Sequence, residues 1–193
     1  MMRLRFLIGI PGIVIIAGAG VTAPDPSQLS AMRAAVHPVA SVPLMQAWLS
    51  RVPVTRDFPD DLAATLRAQG TLWTIEMTTQ RDCVPCGDLW ARLGRLARTY
   101  DLQLRTIPAQ EGMVRSGKLG LPWIGHPVAW VRSNAEPQKI IPIAIGTDHE
   151  PNLARNLYLA AKMLEGVRPA VAVRAMSKFT GIVGMPPSPT GRR

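Results

Sequence analysis

The chain of 193 residues contains two cysteines, Cys83 and Cys86, separated only by Val84 and Pro85. A thiol pair at this spacing suits three kinds of chemistry. The sulfurs can close a small disulfide and exchange it with other thiols. They can supply half of a metal site. They can form a static cross-link at the head of a helix. A four-ligand zinc or iron–sulfur site would have to draw on His37, His126 and His149, since there is no second Cys-x-x-Cys. Covalent haem attachment calls for His directly after the second cysteine, and Gly87 stands there. Exchange is the expectation, with a redox-active disulfide in place of any cofactor or metal. A structural disulfide is the alternative.

Exchange sets a positional requirement. The thiolate is the attacking species, and a helix N-terminus favours it through unpaired N–H groups and partial positive charge. The stretch "QRDCVPCGDLWARLGRLARTY" meets the requirement. From Cys86 onward, Leu89, Leu93 and Leu96 recur at helical spacing with Trp90 and Ala97, while Asp88, Arg92, Arg95 and Arg98 form the polar face. The exposed attacker would be Cys83 and the resolving thiol Cys86. Pro85 suits a first helical turn, because its φ is fixed and it has no N–H to lose. Arg81 should favour the Cys83 thiolate and Asp82 should oppose it.

The neighbouring elements read as follows. Residues 57–70 carry helix signals: Asp57 as cap, Pro59 in the first turn, Asp60 and Asp61 at the positive end, Gly70 as stop. "TLWTIEM", 71–77, is rich in β-formers and leads into the cysteines. Further strands are expected at 102–107, 127–132 and 139–146, with a short irregular helix at 109–120 and a capped helix at 149–165. Pro142 places the last strand at an edge or on a bulge. A crossover makes the first two core strands parallel, and the short turn "SNAEPQ" makes the last two antiparallel. The fold class is α/β: a mixed four-stranded sheet flanked by helices. Residues 20–56 read as a Pro/Ala-rich extension with short helices at "SQLSAMRAAVH" and "LMQAWL", packing partly on the main domain. Residues 167–193 read as a basic, loose tail.

The net charge of +9 sits at the ends. Arg3 and Arg5 precede residue 24, and Arg168, Arg174, Lys178, Arg192 and Arg193 follow residue 165, leaving 15 basic and 13 acidic residues between. With no basic–aromatic stripe in that middle, no nucleic-acid partner is expected. "MMRLR" followed by the 16-residue apolar run "FLIGIPGIVIIAGAGV" has the form of an export signal. The run is short for a spanning helix, which needs about 20 apolar residues. Ala17, Gly18 and Ala19 offer a cleavage site, so residues 1–19 read as a signal peptide, with an uncleaved inner-membrane anchor at residues 6–21 as the alternative. Both readings place the rest of the chain in an oxidising compartment such as the periplasm.

Strand, Cys-x-Pro-Cys opening a helix, strand, then "GHPVAWV" opening an antiparallel pair, then a final helix: over residues 57–166 this order resembles the thioredoxin fold. The Cys-Val-Pro-Cys pair is similar to that of exported, periplasmic thioredoxin-like reductases of the kind that serve cytochrome maturation. The resemblance implies a cis-proline facing the disulfide at the start of the third strand. Pro127 matches it, 44 residues after Cys83 and preceded by Gly125 and His126. It also implies a substrate groove beside Pro127, with His126 either next to the thiols or solvated at the rim, and Trp123 in the loop leading in. Two positions depart from the pattern. Asp82 stands where the family keeps Trp. The family's buried acid falls at Met77, one residue from Glu76, which would reach the thiols only through a bulge.

The resemblance implies an envelope thiol-disulfide oxidoreductase, reductase or isomerase before oxidase. It would act on cysteines of exported proteins and be recharged by a membrane or periplasmic redox partner. The competing expectation is a thioredoxin-like binding or assembly module of a secretion or conjugation apparatus, with a structural or vestigial disulfide.

Overall fold

A computed structural model describes residues 36–168, 172 and 175–186. The expected export signal lies outside the described residues, as does the helix expected at "SQLSAMRAAVH" apart from its last two positions, which are not helical: Val36 is irregular and His37 opens a strand. In chain order the elements are β1 (His37–Val39), α1 (Val42–Leu49), α2 (Leu62–Ala68), β2 (Trp73–Thr78), α3 (Val84–Tyr100), β3 (Gln103–Ile107), α4 (Ala109–Lys118), β4 (Val128–Ser133), β5 (Ile140–Ile145), α5 (Glu150–Leu164) and β6 (Ile182–Gly184).

The main sheet has the order β3-β2-β4-β5. β2 pairs parallel with β3 and antiparallel with β4, and β4 pairs antiparallel with β5. This is the expected α/β architecture, a thioredoxin-like mixed four-stranded sheet with helices on both faces. Pro142 lies on the edge strand and also beside a bulge, where Ala129 faces Ala144 and Trp130 faces Pro142. Both are places where a missing N–H does least harm.

Period-two alternation along β2 sorts its side chains between two cores. Trp73, Ile75 and Met77 join Leu89 and Leu93 of α3, Leu66 of α2, and Leu153 and Leu157 of α5. Each fully buried leucine contributes about 1.5–3 kcal/mol over an exposed one. On the opposite face Ile107, Val128, Trp130 and Ile145 pack with Trp123 and Leu119. α3 ends where Asp101 turns left-handed at φ 56° and the Leu102 N–H returns to the Ala97 carbonyl at 2.9 Å.

Two expectations need correction. α2 begins at Leu62, not near Asp57. The Leu62 N–H bonds the Pro59 carbonyl in a turn, and the Asp61 carboxylate is taken by Tyr158 and Lys162 of α5. Tertiary partners thus outbid the local caps. The described part of the tail is not loose. β6 pairs parallel with β1, in register His37 to Ile182 and Val39 to Gly184. Ile182 fills a small core with Val39, Met45 and Leu49, against Val84. Backbone bonds also join Gly181 N–H to Ile145 O at 2.9 Å and Thr147 N–H to Ile182 O at 3.1 Å. Gly146, at φ 84°, lets the tail pass, because a Cβ there would run into the Ile182 backbone.

Candidate functional site

β2 ends at Thr78, and the loop after it delivers Cys83 to the head of α3. Asp82 makes the turn with φ 55°, a left-handed conformation that Asp tolerates better than Trp would. Cys83 is the N-cap residue, extended at φ −95°. Pro85 is buried in the first turn, where helical N–H groups are unpaired in any case. Cys83 and Cys86 lie at disulfide distance, with Cα atoms 5.2 Å apart. The Cys86 backbone N–H points at the Cys83 sulfur, 3.2 Å away. Cys83 is 9% exposed and Cys86 3%.

The facing wall is the start of β4. The His126–Pro127 peptide is cis, and the His126 carbonyl oxygen lies 3.8 Å from Cys83 Sγ. Thr78 holds this wall: its hydroxyl accepts the Val128 N–H at 3.1 Å. The His126 ring meets Trp123 edge-on, with centroids 5.1 Å apart. It is buried rather than solvated at the rim, and its Nδ1 finds no hydrogen-bond partner among the described residues. Burial pushes its pKa below the ordinary 6.5, so the ring is neutral near pH 7.

On the other side of Cys83 an open cleft of about 660 Å³ runs between Asp82, Cys86, Trp90, Met77 and Thr106. Arg81 and Asp82 are both exposed there or beside it. Trp90 is 40% exposed and is the aromatic surface nearest the pair on α3.

Glu76 does not reach the thiols. β2 carries no bulge: its pairing with β3 and β4 is continuous through Thr74, Ile75, Glu76 and Met77. Glu76 therefore faces away from α3. Its carboxylate is fully buried and accepts from Arg105, Arg132 and Arg115, and Arg115 also pairs with Glu111. Burial pushes the Glu76 pKa up, but the three guanidinium hydrogen bonds outweigh it and hold the carboxyl below its ordinary 4.5. The position is an ionic hub that ties β3, β4 and α4 to β2.

Two features were not anticipated, the first at the site and the second apart from the thiols. The first is β6. The Gly184 N–H donates to the His126 carbonyl at 2.8 Å, and a Cβ built on Gly184 would stand 2.8 Å from Cys83 Sγ. "TGIVG", a β-branched pair between glycines, was the available signal for a strand there. The second is Asp148, 3% exposed in the loop before α5, accepting from Asn152 Nδ2 at 2.8 Å and the His149 N–H at 2.6 Å. Burial raises its pKa above the ordinary 3.8 despite these donors.

The arrangement brings together Cys83, Cys86, Pro85, His126, Pro127 and Asp82, with Trp123 one ring further out. No protein-family model, curated protein or solved structure matches this chain.

Proposed function

We propose that this protein is an exported thiol-disulfide oxidoreductase acting on cysteines of exported proteins. The observation that carries the proposal is the Cys83–Cys86 pair at disulfide distance on the N-terminus of α3. In the reducing direction the Cys83 thiolate attacks one sulfur of a substrate disulfide. The substrate S–S bond breaks, a Cys83–substrate disulfide forms, and the other substrate sulfur leaves as a thiolate that takes a proton. Cys86 then loses its proton and attacks Cys83 Sγ, releasing the second substrate thiol and leaving Cys83–Cys86 oxidised. The substrate gains two electrons and the pair loses two.

The Cys86 N–H beside Cys83 Sγ supports this order of attack, since it can bond the developing thiolate. A membrane or periplasmic thiol donor would regenerate the reduced pair. The export-signal pattern of residues 1–19 supports a periplasmic setting, where such donors and disulfide substrates meet.

A second proposal is an assembly module of a secretion or conjugation apparatus in which the disulfide is structural. The burial of both cysteines, with Gly184 of β6 against Cys83, favours it. Trapping separates the two. With Cys86→Ala, Cys83 should accumulate mixed disulfides with exported proteins, and glutathione buffers should reduce the parent pair. No adducts, together with a pair that resists glutathione, would leave the structural role.

A further inference from the structure

The tip, 184–186, starts at buried Gly184, the last residue of β6, and runs on into exposed Met185 and Pro186. Ile182 and Val183 are each 1% exposed, while Met185 is 50% exposed. Gly184 pairs with Val39 at the end of the β1 ladder, and two further hydrogen bonds hold the tip: Gly184 N–H to the His126 carbonyl at 2.8 Å, and Gln80 Nε2 to the Met185 carbonyl at 3.1 Å. The first occupies the backbone acceptor of the wall that faces the disulfide. Only glycine fits there, because any Cβ at position 184 would press on Cys83, 2.8 Å from its Sγ and 3.2 Å from its Cβ. Beyond the tip, a cavity of about 460 Å³ opens toward Met113, Trp123, Ile124 and His126.

We propose that residues 184–186 are a displaceable cap seated where an extended cysteine-bearing segment of a substrate would lie, so that a protein segment docks on the His126–Pro127 wall over Cys83 only when the tip swings away. The proposal rests on the exchange chemistry above. The geometry suits a cap rather than a permanent wall. Past the end of the β1 ladder at Gly184 the tip is held, among the described residues, by the Gln80 bond alone, exposes Met185 and Pro186, and has a cavity beside it. The buried Ile182 and Val183 need not move, so opening leaves the small core of Val39, Met45 and Leu49 intact. The incoming segment would be extended, would offer an N–H to the His126 carbonyl as Gly184 does, and would place its sulfur over Cys83. The apolar cavity would take a neighbouring apolar side chain of that segment.

The test uses the full chain, reduced, with the rate of Cys83 alkylation by iodoacetamide read by peptide mass spectrometry. Gln80→Ala removes one tether and should raise the rate by about threefold or more, the loss of one modest hydrogen bond. Gly184→Ala should raise it by about tenfold or more, because the added methyl expels the tip. Circular dichroism checks folding, and if Gly184→Ala does not fold, Gln80→Ala decides alone. Rates equal to or below the parent overturn the cap. The exchange chemistry has a separate readout. Accelerated alkylation with no mixed disulfides on Cys86→Ala would keep the cap and refute exchange. Mixed disulfides without acceleration would keep exchange and refute the cap.

Discussion

Replacing Glu76 with Gln isolates a charge that three arginines share. Gln keeps the shape and an acceptor oxygen but removes the negative charge. The Arg115 side chain is 10% exposed and that of Arg132 18%, so both would hold a positive charge that water reaches poorly. Arg105 is 55% exposed and simply rehydrates. Removing one partner from a buried ion pair costs about 3–5 kcal/mol. Arg115 keeps Glu111 and Arg105 turns to solvent, which places the cost near the lower end, about 3 kcal/mol. At roughly 2–4 °C per kcal/mol for a chain of this size, the melting midpoint should fall by about 6–12 °C. The Glu76 pKa is depressed, so its contribution is present above the ordinary 4.5 and is lost as pH falls through the lowered folded value. The gap between parent and variant should therefore narrow in acid. Thermal melts from pH 7 downward measure this. The pH–rate profile of Cys83 alkylation should stay unchanged, because Glu76 lies on the opposite sheet face. A variant within about 1 kcal/mol of the parent whose alkylation profile shifts would refute the hub and mean that Glu76 acts on the thiols after all.

The other expectations are smaller. Asp148→Asn keeps an oxygen for Asn152 and for the His149 N–H but removes a buried charge; the raised Asp148 pKa means its stabilising share is present below about 3.8 and lost as pH rises. Urea titrations should show the variant more stable than the parent near pH 7 and no more stable near pH 3, and equal curves at both would dismiss the buried-charge penalty. Ile182→Ala should cost about 2–5 kcal/mol, as for a core residue, whereas exposed Met185→Ala should stay within about 0.5 kcal/mol; a neutral Ile182→Ala would mean the tail is loose after all. His126 should titrate below 6.5 by NMR, since burial lowers its pKa, and the part of the stability that depends on its neutral form should fade only as pH drops beneath that value. Titration at or above 6.5 would contradict its buried placement.

Much of the fold was legible because its signals are local. Leu89, Leu93 and Leu96 repeat at helical spacing, and the helix they marked buries them. Pro142 announced an edge or a bulge from its own chemistry, and the strand has both. The cysteine spacing and the strand before it placed the pair at the head of α3 with no knowledge of the rest of the chain.

Other features depend on partners distant in sequence. Glu76 faces Arg105, Arg115 and Arg132, separated from it by 29, 39 and 56 residues. Periodicity could say that Glu76 points away from Met77, but not that three cations would meet it there. The tail reads as Pro- and Gly-rich and basic, a composition that suggests looseness. Its strand forms because β1, the Gly146 turn and the His126 carbonyl are brought to it by the folded sheet. The sequence by itself determined the thiol pair and the elements of the main sheet with its helices, but not β1 or β6, since propensity and helix-end chemistry act over a few residues. Tertiary structure alone decided what covers Cys83, because a strand edge acquires its neighbour only when distant segments are packed together.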